Sequence, residues 1–159
     1  MKQKSFFAVF CALALCLCAP VSGCAGAKRS AREYLDAALA LCHACPVGRV
    51  YDGEAASWEE EALPQSIADI LYQSGDGESA FSLSEEYALF LASGRLGGEA
   101  AVFKVPDPAA RLRVLRIASA RLARLRRLLP EYDAGVVFER GDAVILLFLP
   151  KSEQIRRAL

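Results

Sequence analysis

Gly135-Val136-Val137-Phe138-Glu139-Arg140-Gly141-Asp142-Ala143-Val144-Ile145-Leu146-Leu147-Phe148-Leu149 is the stretch that decides the fold. Two β-rich runs, Gly135 to Arg140 and Ala143 to Leu149, meet across Gly141-Asp142, with glycine first as a type II′ turn asks. Val144 to Leu149 is apolar at every position, so both of its faces need cover, and it belongs at the centre of a sheet. Pro150 closes the strand, and Ser152 is placed to cap a last short helix ending at Leu159.

Upstream lies the best-punctuated helix. Asp107 suits the N-cap, and Pro108 suits the first turn, where its missing N–H is no loss. The helix is expected to run Asp107–Leu129, stopped by Pro130, with Val114, Leu115, Ala118, Leu122, Leu125 and Leu129 on one side. Before it, Glu86 to Ser93 and Glu99 to Val105 read as a first hairpin across Gly94-Arg95-Leu96-Gly97-Gly98. Further upstream, Ser30-Ala31-Arg32-Glu33 reads as a capping box for a helix carrying Tyr34, Leu35, Ala38, Leu39, Leu41 and Cys42 on one stripe. That helix stops near Pro46. Val47 to Glu54 reads as loop, and a second helical stretch lies within Trp58 to Tyr72, interrupted by Pro64. Two hairpins with an amphipathic helix between them, and N-terminal helices before them, predict an α+β fold. Its sheet is antiparallel, of about four strands.

The first 27 residues have a different logic. Lys2 and Lys4 precede an uncharged apolar run, Phe6 to Cys18, too short for a bilayer span of ~20 residues and matched to a signal-peptide core. Val21-Ser22-Gly23 is a small-residue cleavage site directly before Cys24. This resembles the lipobox of bacterial lipoproteins, which implies a signal peptide over 1–23, a diacylglycerol on the Cys24 thiol, a tether over 24–29 and a single domain over 30–159. The location implied is extracytoplasmic, on the outer leaflet of the cell membrane, with two acyl chains giving stable residence. Two alternatives stay open: Ala25-Gly26-Ala27 as an ordinary cleavage site releasing a secreted chain, and Ser5 to Ala27 as an uncleaved anchor.

Composition narrows the function classes. Beyond position 23 only Cys42 and Cys45 remain besides Cys24, which excludes a disulfide-rich scaffold. Charge is near balance overall but split along the chain. Asp52 to Glu99 holds eleven acids and one base, whereas Lys104 to Arg127 holds eight bases and one acid. Arg113, Arg116, Arg124 and Arg127 form one helical stripe opposite the leucine face, flanked by Arg111, Arg121 and Arg126. The plain reading is a solvated face pairing with the acidic region. The functional reading is a contact surface for anionic lipid headgroups, an acidic protein or an anionic envelope polymer. Nucleic acid is not expected, since the domain is not basic overall and no aromatics interleave the stripe.

Cys42-His43-Ala44-Cys45 is the other candidate, as a C-x-x-C redox pair or a local disulfide. Thioredoxin-like pairs open a helix, where the dipole favours a thiolate; this pair closes one, where the dipole opposes it. A metal is not expected, because three ligands within four helical residues cannot face one ion and no second cluster completes a site. Pro46 stands where c-type haem attachment needs histidine. Glu59-Glu60-Glu61 and Glu85-Glu86 lack a base or nucleophile partner, and the lone Trp58 reads as a core or edge anchor. No phosphate-binding glycine loop, serine elbow or zinc-protease helix occurs, so no catalytic residue and no cofactor is assigned.

Glu99-Ala100-Ala101-Val102-Phe103-Lys104-Val105, the long arginine-bearing helix, and Val136-Val137-Phe138-Glu139-Arg140-Gly141-Asp142 before an aliphatic strand together resemble a family of small bacterial lipoproteins. The family is known as domain of unknown function 4358. The resemblance runs from Tyr34 to the end, agrees with the lipobox and implies a membrane-tethered domain. It brings no activity with it. The expectation is a non-catalytic binding or adaptor module, with an extracytoplasmic thiol-disulfide oxidoreductase using Cys42 and Cys45 as the alternative.

Overall fold

The computed structural model describes residues 28–68, 70–93, 97–129 and 135–159. The leader with Cys24, most of the tether, the turn at 94–96 and the Pro130 stop lie outside the described residues. The elements in chain order are α1 (Ala31–Leu41), β1 (Gly48–Asp52), α2 (Gln65–Ala68), α3 (Ala80–Leu83), β2 (Glu86–Ala92) and β3 (Glu99–Lys104). They continue with α4 (Pro108–Leu128), β4 (Val136–Arg140), β5 (Ala143–Phe148) and α5 (Ser152–Ala158).

The sheet is antiparallel throughout, in the order β1-β2-β3-β5-β4. Both expected hairpins form, as β2–β3 and β4–β5. The chain leaves β3 through α4, lays down β4 at the far edge and returns as β5 between them. Gly141 sits at φ +62° in the β4–β5 turn, a backbone that glycine adopts without strain.

Burial of both faces of β5 is explained by three layers. On one face Leu89, Ala101, Phe103, Val144, Leu146 and Phe148 pack against Ala110, Val114, Ile117, Ala118, Leu122 and Leu125 of α4. On the other, Ala88, Phe90, Val102, Ile145 and Leu147 pack against Leu35, Ala38 and Cys42 of α1 and Ile155 of α5. Every residue of β5 is buried. Alternation puts successive side chains into different cores, so a strand covered on both faces must be apolar at every position.

Local chemistry sets the helix ends. The Ser30 hydroxyl accepts from Glu33 N at 3.1 Å while Ser30 N donates to the Glu33 carboxylate at 2.8 Å, completing the capping box. Asp107 accepts from Ala110 N at 2.7 Å and Pro108 opens α4.

Five expectations are corrected. The stretch read as loop contains β1, whose backbone pairs with β2 although only Tyr51 of its side chains is buried. The helix expected within 58–72 is reduced to α2, because the segment makes separate turns on either side of Pro64. Ser152 is not the cap of α5: Lys151 holds that place at φ +60°, while the buried Ser152 hydroxyl bonds Leu149. Trp58 is 85% exposed and anchors no core, and Leu41 also turns outward from its stripe.

Candidate functional site

Helix α4 presents two populations of arginine. Four are tied to the fold. Arg113 pairs with Glu78 at 2.5 Å. Arg111 donates to the Val105 carbonyl at 3.2 Å, and Arg126 to the Gly135 carbonyl at 2.6 Å. Arg121 is the root: its Nε donates to Glu99 Oε1 at 3.0 Å and its Nη2 to Oε2 at 2.6 Å, a bidentate pair that is largely buried. The Arg113–Glu78 and Arg121–Glu99 pairs join the basic helix to the acidic half of the chain, as the plain reading of the charge split expects.

Arg116, Arg124 and Arg127 behave differently. All three are exposed and form no ion pair among the described residues. By helical geometry they fall within a sector of roughly 80° and span ~16 Å of the axis. Of the four stripe residues, Arg113 is therefore engaged, while the other three are exposed and have no ion-pair partner among the described residues.

Beneath this row sits a cluster that the sequence reading missed. The Tyr72 hydroxyl donates to Glu99, its ring lies under the Arg121 guanidinium at 5.9 Å, and it meets Phe103 and Phe81 edge-on at 5.0 and 5.7 Å. Tyr72 holds φ +54°, a left-handed conformation costly for a bulky residue. Burial first, and then the neighbouring Glu99 charge, push its phenol well above the usual range, with Arg121 offsetting only part. For Arg121, burial favours loss of the proton, yet the bond and charge of Glu99 outweigh it and raise the guanidinium above its ordinary value. The cluster ties the 70–80 segment, β3 and α4 together, which fixes the outer face of α4 against the sheet. A signal was present in the sequence. Arg121 follows Val114 by seven residues and so lies about 20° from it, inside the apolar stripe rather than on its flank.

At the cysteine corner one thiol is buried and the other is half-buried. Cys42 ends α1 and is buried, its Sγ 4.0 Å from the Pro150 carbonyl, and Cys45 N donates to Cys42 O at 3.0 Å. Both thiols are free. Burial first, then the hydrogen bond and charge shared with Cys42, push the Cys45 thiol up to about 12. A redox nucleophile needs the opposite shift. At neutral pH the Cys45 thiolate fraction should fall by ~10³ relative to an ordinary thiol near 8.5. Alkylation of Cys45 by iodoacetamide should therefore be at least about a hundredfold slower than that of an unfolded control. Mass spectrometry of the reduced protein reads this directly, and rapid labelling would favour the oxidoreductase reading.

Among the described residues no group of three or more His, Cys, Asp or Glu side chains converges as a metal site, and no helix is long and apolar enough to cross a membrane. Family models, curated proteins and solved structures yield no match to this chain.

Proposed function

We propose that this chain is a lipid-anchored, non-catalytic binding module on the outer leaflet of the cell membrane, related to the small lipoproteins of domain of unknown function 4358. It meets an anionic partner, an acidic protein face or an envelope polymer, through α4. The observation that carries this reading is the row of exposed guanidiniums at Arg116, Arg124 and Arg127, which have no ion-pair partner among the described residues, on a helix locked in place from beneath. Leu112 and Leu128, exposed toward the two ends of the row, add apolar contact. At physiological salt such charges act over ~8 Å, so the row serves a partner in direct contact. Weak attraction suffices, because a tether through Cys24 keeps the local concentration high.

Two measurements test the two halves. Intact mass of the mature N-terminus should give a diacylglyceryl adduct on Cys24. Crosslinking on living cells should lose its main protein or polymer neighbour, by about tenfold or more, when Arg116, Arg124 and Arg127 are all changed to Glu. Thermal melting should stay close to that of the unaltered protein, because substitutions of exposed surface charges change stability by only ~0.5 kcal/mol or less. Unchanged neighbours in a folded triple variant would remove α4 from the function.

A further inference from the structure

At the opposite end of α4 from Arg127, a cleft of about 550 Å³ opens between the start of the described chain and the β4–β5 turn. Its walls carry Lys28, Arg29, Lys104, Arg111 and Arg140, against a single acidic side chain, Asp142. Lys104 is the built-in part. It is buried in the last position of β3, donates to the Arg29 carbonyl at 2.9 Å and pairs with Asp142 at 2.7 Å. Lys104 thereby consumes Asp142 and pins residue 29 to the end of the sheet. Arg29 stacks on the Tyr34 ring at 5.6 Å, which leaves its guanidinium edge open. Arg140 is exposed and has no ion-pair partner among the described residues, and Lys28 reaches Asp142 only at 3.9 Å. Arg111 faces Glu139 at 3.9 Å. Even with Glu139 counted, positive charge remains in surplus.

The position of this cleft identifies what it meets. Lys28 follows Cys24 by four residues, a reach of at most ~14 Å even when fully extended. If Cys24 carries the acyl chains, as proposed above, the cleft is held at headgroup level. We infer that the cleft takes the phosphate of an anionic phospholipid of the membrane that holds the anchor, and so sets the orientation of the domain. The charge layout of that end agrees. Its β1 side carries Asp52, Glu59, Glu60 and Glu61, with Asp52 and Glu61 joined through Arg32. Repulsion there and attraction at the β4–β5 corner tilt the domain onto the corner.

The lipidated full-length protein is placed in nanodiscs of pure phosphatidylcholine, or of equal parts phosphatidylcholine and phosphatidylglycerol, and its amide exchange is followed. Residues 28–34 and 138–143 should be protected about tenfold more in the phosphatidylglycerol discs, and Arg140→Glu combined with Lys28→Glu should abolish the difference. Equal exchange in both discs, with the Cys24 adduct confirmed by mass, overturns the inference and leaves the anchor standing. Equal protection by inorganic phosphate in solution also overturns it, since the cleft would then serve a free anion. If the adduct is missing, soluble short-chain phosphatidylglycerol replaces the discs: protection of the same residues upholds the cleft without the anchor, and none overturns it.

Discussion

Arg121→Ala should lower the stability of the fold by about 3–5 kcal/mol, among the largest losses expected of any polar residue in the chain. The size follows from what is left behind. Glu99 is 2% exposed, and without its bidentate partner it keeps only the Tyr72 hydroxyl to balance a full negative charge away from water. Urea titration of the variant against the parent measures the loss. Removing the charges together is predicted to cost far less. A Tyr72→Phe, Glu99→Leu, Arg121→Leu variant replaces the network by apolar contacts and should recover most of the loss. A single Arg121→Ala variant within about 1 kcal/mol of the parent would mean that Glu99 is hydrated and the network is not the root of α4.

Phe103→Ala should be of similar size, about 3–5 kcal/mol, for a different reason. Phe103 is 1% exposed on the α4 face of the central strand, with Tyr72 and Phe81 edge-on at 5.0 and 5.5 Å. Truncation opens a cavity bounded by those two rings and the strand beneath, and rings wedged between a strand and a helix cannot collapse to fill it. Phe103→Leu keeps most of the volume and should cost less than half as much. Because Phe103 touches Tyr72, its loss also loosens the Glu99 network. Phe103→Ala and Arg121→Ala should therefore combine to less than the sum of their separate effects. Strict additivity in the denaturation midpoints would separate the aromatic cluster from the ion pair.

The sequence carries the architecture unevenly. The β4–β5 hairpin, the cap at Asp107 and the apolar run of β5 are local signals, each strong enough to survive into the structure unchanged. Edge strand β1 has no such signal. Of its five residues only Tyr51 is buried, and what holds it is the row of backbone bonds offered by β2, which no side-chain pattern announces. The segment 58–72 carries helix-forming residues, but its turns are set by Pro64 and by contacts to β1, such as Asp52 N donating to Glu61 O at 2.8 Å. At the candidate surface the stripe was legible as a row of arginines. Which members were already engaged was not, because Glu78 and Glu99 reach α4 through the tertiary fold. A lone acid heading the apolar run Glu99-Ala100-Ala101-Val102-Phe103 did ask for a buried cation, and Arg121 inside the leucine stripe was the answer.

The placement of β5 between β3 and β4 has a consequence for a chain that emerges from a pore N-terminus first. Among the described residues, pairs such as Val102 with Ile145 supply the strand-to-strand pairing between β1–β3 and the β4–β5 hairpin. Until Phe148 is clear of the pore, β3 offers an apolar strand with one side of its backbone unbonded, beside a helix that has half its packing surface bare. A ribosome that stalls, or a protease that cuts, between β3 and β5 thus releases not a slightly shortened protein but an adhesive fragment whose β1–β3 strands end in an open apolar edge.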